Sequence, residues 1–181
     1  MITVAVSLIL LLFLACFGFY WDSREKDWTT STGSTFVMDT FVDQKFSGKQ
    51  SGLAVEKINE LLKNFENRFS AYVSSSEISR INQNAGLSYI QVSEETFDFL
   101  KTAKEYCKRS QGLFDITIGP LVDLWDITGE NPRVPDEREI QSVLKRVNYE
   151  DLLLREEDHS VMLRQEGQKL NLGGMAKGTA G

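Results

Sequence analysis

Two short stretches hold residues whose types and spacing could serve an anionic ligand. The first is Gly112-Leu113-Phe114-Asp115-Ile116-Thr117-Ile118-Gly119-Pro120-Leu121-Val122-Asp123-Leu124-Trp125. It is mostly uncharged and is punctuated by residues that set backbone shape. Asp115 stands between Phe114 and Ile116, so a carboxylate is held inside an apolar run, and a carboxylate withdrawn from water needs partners. The second stretch is Leu170-Asn171-Leu172-Gly173-Gly174-Met175-Ala176-Lys177-Gly178. Three glycines let the backbone approach a ligand closely, and their amides with the Lys177 ammonium can face phosphate oxygens. The Walker spacing is absent, so this is not a P-loop. Each stretch also has a plain structural reading. Asp115 would cap a turn, and the glycines would allow a helix to pack closely after a strand.

Other chemistries find less support. His159 is the single histidine and sits in the acidic run Glu156-Glu157-Asp158-His159-Ser160, which reads as an exposed turn rather than part of a triad. Cys16 and Cys107 are the two cysteines; one lies in the apolar N-terminus and the other in an expected helix, which gives neither a disulfide nor a metal framework. The net charge of -6 argues against non-specific nucleic-acid binding.

The elements that must position these residues follow from periodicity. The 181 residues leave room for one domain. Residues 22–33 are polar, rich in Ser and Thr, and read as a linker, with the folded part starting near Thr35. Residues 36–46 favour strand. Val55, Ile58, Leu61, Leu62, Phe65 and Phe69 share one helical face, so an amphipathic helix is expected over residues 54–69. Ser76 is placed to cap a short helix through Ile81, and Ser93 to cap a longer one that buries Phe97, Leu100, Ala103 and Cys107 and stops at Gly112. Gly119-Pro120 reads as a turn. Pro135 can open a helix carrying Ile140, Val143, Leu144 and Val147. Residues 152–154, 161–163 and 170–172 read as short strands. Helices and strands mix without strict alternation, which makes the class α+β.

Residues 2–20 carry no charge and approach the ~20 residues that span a bilayer. This run reads as a signal or membrane anchor. Leu12-Phe13-Leu14-Ala15-Cys16 loosely resembles a bacterial lipobox, so lipidation at Cys16 stands beside simple anchoring. Either places the rest of the chain at the cell membrane, on its extracytoplasmic face.

The two opening stretches, taken together, resemble the ApbE family, the FAD:protein FMN transferases. Phe114 to Trp125 follow the family's F-D-x-T-x-G-P-L-V-x-L-W, and Leu172 to Gly178 follow its L-G-G-I-A-K-G. Met38-Asp39-Thr40 is similar to its M-D-T, and Phe69-Ser70-Ala71-Tyr72 to its F-S-x-Y. Ser76-Glu77-Ile78-Ser79-Arg80-Ile81-Asn82 is similar to its S-E-[IL]-S-R-[IFL]-N. The resemblance implies an ApbE-like mixed sheet with packed helices. It implies an enzyme that binds FAD beside Mg2+ and transfers FMN to a threonine hydroxyl of a target flavoprotein. Carried over position by position, Met38, Tyr72, Leu113, Phe114, Asp115, Asn171 and Lys177 match FAD-contacting positions, and Gly174 matches a position whose backbone carbonyl binds the metal. No residue is assigned as catalytic.

Two departures accompany the match. Asn171 stands where the family has Asp, which keeps hydrogen bonding and loses a charge. The family also continues past the position of Gly181, and its side-chain Mg2+ ligands, an Asp and a Thr, lie in that continuation. The expectation is therefore an N-terminal portion of a transferase, with FAD hydrolysis or FAD binding without transfer as alternatives.

Overall fold

Strands β1 (Thr29–Val37) and β2 (Thr40–Gly48) pair antiparallel, with Val37 opposite Thr40. The computed structural model that shows them describes residues 12–18, 20, 28–127 and 129–180. Met38 and Asp39 make the two-residue connection, with φ of 52° and 56°. That left-handed pair is what a tight hairpin between twisted strands requires. The ladder begins at Thr29, inside the stretch whose composition reads as a linker. The hydroxyls that suggest an open segment instead bond across the ladder. Thr30 Oγ1 lies 2.9 Å from Ser47 Oγ, and Thr29 Oγ1 donates to the Gly48 carbonyl at 3.1 Å.

Helix α1 (Ser51–Phe69) follows. The chain divides into two compact units, and the boundary falls within this helix, between Leu61 and Leu62. The second unit contains α2 (Glu77–Gln83), β3 (Ile90–Gln91), α3 (Glu94–Arg109), α4 (Gly119–Trp125), α5 (Glu137–Leu144), β4 (Leu152–Arg155), β5 (Ser160–Leu163) and α6 (Gly173–Ala180). Its sheet is antiparallel in the order β3-β5-β4. The fold is thus the expected mixture of helix and sheet. Ile78, Phe97, Leu100, Ile116, Leu163 and Leu170 are fully buried in its core. Each such side chain contributes about 1.5–3 kcal/mol by leaving water. Cys107 belongs to this core, and burial pushes its thiol above the ordinary value.

Local signals set the helix starts. The Ser76 hydroxyl accepts from Ser79 N at 2.9 Å and that of Ser93 from Thr96 N at 3.3 Å, each satisfying an otherwise unpaired first-turn amide. Glu77 joins the two caps. Its Oε1 accepts from Ser93 N at 2.9 Å and its Oε2 from the Ser93 hydroxyl at 2.8 Å. At the other end of α3, Gln111 and Gly112 turn left-handed (φ 56° and 80°), and Gly112 N donates to the Cys107 carbonyl at 2.9 Å.

Three further sequence expectations are corrected. Gly119-Pro120 does not make a turn. It opens α4, where the proline's missing N–H costs nothing because first-turn amides have no helical partner. Pro135 precedes the cap rather than starting the helix. Asp136 caps α5 in a capping box with Glu139. No residue of α5 is buried, and Leu144 is 38% exposed. Residues 170–172 are not a strand. Lys169 makes a single parallel bridge to Ile118, and the backbone of Leu170 pairs with the side chain of Asn82 instead of a neighbouring strand. His159 lies in the turn between β4 and β5, with φ of 49° and its ring 5.2 Å from that of Phe97.

The apolar run of residues 2–20 lies largely outside the described residues. Residues 12–18 are helical, and no helix among the described residues is long and apolar enough to cross a membrane.

The Glu77 link is testable. Burial alone would raise its carboxyl, but hydrogen bonds from Thr96 and Ser93, with the charge of Arg68, outweigh it and hold the group below its ordinary 4.5. The charged hydrogen bonds should be worth about 2 kcal/mol. Glu77→Ala should lower unfolding stability by that amount at neutral pH. A depressed carboxyl contributes fully above its ordinary value and loses the contribution as pH falls through the folded one. The gap between wild type and variant in urea unfolding should therefore narrow below pH 4.5.

Candidate functional site

The loop after α3 is shaped by one carboxylate. Asp115 Oδ1 accepts from Thr117 N at 2.7 Å and from Thr117 Oγ1 at 2.6 Å, while its Oδ2 accepts from Tyr149 N at 2.9 Å. Thr117 Oγ1 in turn accepts from Asn148 N at 2.8 Å. The partners that a carboxylate among apolar residues must find are therefore amides and a hydroxyl, and Thr117 is fully buried with them. Both Asp115 oxygens are engaged in holding the loop against residues 148–149. The consequence is presentation of the two residues before it. Leu113 is 95% exposed, and Phe114 is half-buried against the core.

A second segment lies along this loop. Gly119 N donates to the Lys169 carbonyl at 3.1 Å, and Asn171 N donates to the Ile116 carbonyl at 2.8 Å. The approach is close enough that a Cβ on Gly119 would stand 2.5 Å from the Lys169 oxygen. Glycine is required there by space. The segment then runs into α6. Asn171 Oδ1 accepts from Gly173 N at 3.0 Å, an Asx turn that satisfies the first amide of the helix. The neutral amide keeps the accepting oxygen that an aspartate would supply. Met175 N and Ala176 N both donate to the Leu172 carbonyl, while Gly174 N has no acceptor among the described residues. Gly174 also has to be small, since a Cβ would meet the Phe114 ring at 2.9 Å.

Tyr72 completes the cluster. Its hydroxyl lies 3.5 Å from Asn171 Nδ2, at the outer limit of a hydrogen bond, and its ring is 57% exposed. Lys169 Nζ stands 5.6 Å from the centre of that ring while ion-paired to Asp123 at 2.6 and 2.8 Å. The structure thus brings together Tyr72, Asn171, Gly174 and Phe114 from three separate parts of the sequence. Lys169 and Asp123 were not singled out by sequence reasoning. The available signal was the spacing of Lys169 and Asn171, two apart in extended chain and therefore on one side of it. Lys177 is exposed about one turn beyond Gly173 and has no ion-pair partner among the described residues. Met38 lies in the β1–β2 turn of the first unit.

This arrangement suits a ligand with an aromatic plane and an anionic group. An exposed phenol ring offers stacking, and an open amide at the positive end of a helix, with an ammonium nearby, favours phosphate. A Mg2+ ion is less well served. Gly174 offers one backbone oxygen, in the helix turn whose dipole favours anions. Among the described residues no group of three His, Cys, Asp or Glu side chains converges. Mg2+ takes six oxygens in near-octahedral order, so these residues do not hold it by themselves.

The role of Thr117 can be measured. Thr117→Val keeps the shape but leaves Asn148 N and one Asp115 oxygen short of partners. The expected loss is about 1–3 kcal/mol in denaturant unfolding. An unchanged midpoint would mean that the Thr117 hydroxyl adds nothing to the backbone bonds that hold the loop.

Known proteins resemble this chain in sequence and in fold. Residues 38–181 match the model of the ApbE family. A FAD:protein FMN transferase of Klebsiella pneumoniae is 33% identical over 145 residues, covering 80% of this chain and 46% of its own length. One from Treponema pallidum is 31% identical, covering 69% of this chain and 36% of its own. Among solved structures, the ApbE protein of Thermotoga maritima superposes with a TM-score of 0.78 at 32% identity, over 84% of this chain and 50% of that one. The flavin transferase ApbE of Vibrio cholerae gives 0.75 at 25% identity, over 84% and 51%. The chain spans about half the length, or less, of the curated relatives it matches.

Proposed function

The chain belongs to the ApbE family, and from that premise we propose that it serves as the FAD-binding portion of an FAD:protein FMN transferase. The observation that carries this reading is the grouping of Phe114 against Gly174, whose amide is open at the start of α6, with Asn171 just before it and Tyr72 within reach of Asn171. In this reading the flavin stacks on Tyr72 and the pyrophosphate lies against the α6 amides, with Lys177 as its charge partner. Leu113, Phe114 and Asp115 form the facing loop, in which Asp115 acts by shaping the backbone, while Met38 enters the reading through the family resemblance alone.

The reaction is displacement at the FMN phosphorus. A threonine hydroxyl of the acceptor flavoprotein forms a new oxygen–phosphorus bond, the bond to the bridging pyrophosphate oxygen breaks, and AMP leaves. The acceptor's proton is released in the same exchange. What this chain's residues supply is orientation and donors to charge, which are large terms in such transfers. Mg2+ belongs to the proposal through the family, where it neutralises the pyrophosphate. It requires oxygen ligands additional to Gly174. Water in place of the threonine would give FMN and AMP, so product release without an acceptor separates hydrolysis from transfer.

Binding is the direct test. An ion-paired hydrogen bond to phosphate is worth roughly 1.5–3 kcal/mol. Lys177→Ala should thus weaken FAD binding about ten- to a hundredfold, with a reduced dependence on salt. Tyr72→Ala should weaken it with the salt dependence kept. Fluorescence titration of FAD at two salt concentrations reads both. Unchanged affinity in Lys177→Ala would remove the phosphate contact from this reading.

The proposal also places the protein at the cell membrane, facing out of the cytoplasm, as a signal-anchored protein or lipoprotein. The uncharged run of residues 2–20 supports this. The full chain should sediment with membranes, and a chain beginning at Trp28 should stay in the supernatant. Incorporation of labelled fatty acid should disappear in Cys16→Ser if Cys16 is the lipidated residue, and persist if it is not.

A further inference from the structure

We propose that Asn82 is a positioning residue of the candidate flavin site. Its side-chain amide takes the place of a neighbouring strand, fixes the register of residues 169–171, and so aims Lys169 and Asn171 at Tyr72. For the identity of the ligand the proposal rests on the functional reading above.

The hydrogen bonds show how this works. Asn82 Nδ2 donates to the Leu170 carbonyl at 3.1 Å, and Leu170 N donates to Asn82 Oδ1 at 2.7 Å. The two residues are 88 apart in sequence. On the opposite edge, the Lys169 carbonyl accepts from Gly119 N and Asn171 N donates to the Ile116 carbonyl. The segment therefore has backbone partners on both edges, as a central strand does, although one edge holds a single parallel bridge, Lys169 to Ile118, and the other holds only the Asn82 side chain. A carboxamide carries a donor and an acceptor side by side in a plane, as a peptide group does, so a single Asn can satisfy both groups of one residue.

Register is what this pairing decides. In extended chain, side chains alternate between faces. Leu170 and Leu172 point into the core, at 0% and 3% exposure. Lys169 and Asn171 point the other way, and both reach Tyr72. A slip of one residue would turn the two leucines outward and carry the two polar residues inward. Asn171 also closes an Asx turn onto Gly173 N, the first amide of α6, so the register that aims Asn171 also sets where the helix amides begin. Asn82 touches neither ring nor helix in this account and acts through Leu170.

Hydrogen exchange of the full chain tests this without a ligand. Wild type is compared with Asn82→Leu, which has neither donor nor acceptor, and with Asn82→Asp, which keeps the acceptor and lacks the donor. In Asn82→Leu the Leu170 and Gly173 amides should exchange at least about tenfold faster, while those of Leu100 and Ala103 in α3 stay unchanged. Asn82→Asp should show the same pattern at Gly173 with the Leu170 amide less affected. Acceleration confined to Leu170 would overturn the proposal, because the bond would then position nothing beyond itself. Equal acceleration in α3 in both variants would also overturn it, by making Asn82 a general stabiliser.

A second arm measures FAD affinity in a double-mutant cycle with Asn171→Ala. Asn82→Leu should weaken binding about tenfold alone and less than about twofold when Asn171 is already Ala. Additive effects would contradict the proposed route. If wild type does not bind FAD, the functional reading fails, and the exchange pattern still decides whether Asn82 sets the register.

Discussion

The Asp115 carboxylate is the constraint on which the site depends. It is a charge among apolar neighbours, and its desolvation is offset by three donors from two chain segments. Because those donors are backbone amides and a hydroxyl, the charge becomes a means of shaping backbone. It closes the loop over residues 115–117 and ties that loop to residues 148–149 in one step. Ile116 is thereby sent into the core, and its carbonyl is left to receive Asn171 N. Without that carbonyl, one edge of the segment before α6 would lose its partner. The F-D-x-T pattern is thus explained by geometry: aspartate supplies the acceptors, and threonine supplies both a donor to it and an acceptor for Asn148.

The segment of residues 169–171 repeats the same economy of means. Both backbone groups of Leu170 are satisfied, yet no strand lies beside it on the Asn82 edge. A side chain from α2 does that work. Phe114 lies against Gly174 of α6, and Tyr72 reaches Asn171 just before the helix. Gly119 and Gly174 are small because their neighbours approach within the reach of a Cβ. The ion pair of Lys169 with Asp123 sits at the edge of this cluster, under the Tyr72 ring. At its partial exposure such a pair contributes little to stability. Its effect is to hold an ammonium near an aromatic face that solvent can reach.

Much of the architecture was legible because it rests on local signals. Ser76 and Ser93 cap their helices because a hydroxyl before a helical run has amides to accept from, and Cys107 is buried because it falls on the apolar face of α3. Where reading failed, an equally local signal had a non-local partner. The Ser and Thr of residues 29–33 resemble a linker until β2 supplies the hydroxyls opposite them. Residues 170–172 alternate as a strand does, yet the partner is a side chain 88 residues earlier. Gly119-Pro120 carries the composition of a turn and opens a helix, because a residue without an N–H is equally suited to both.

Residue types and order alone determined the class, the capped starts of α2 and α3 and the motifs that place the chain in its family, since these depend on periodicity, capping and short runs of neighbouring residues. The tertiary structure decided what the chemical groups are for. It turned Asp115 toward amides and left Lys177 in solvent. It brought Lys169, two positions from a recognised residue, against Tyr72, and gave Asn82 a partner. The physical reason is that a carboxylate, an amide or an ammonium carries the same chemistry in any sequence, and its role is set by which donors and acceptors the folded chain brings within about 3 Å.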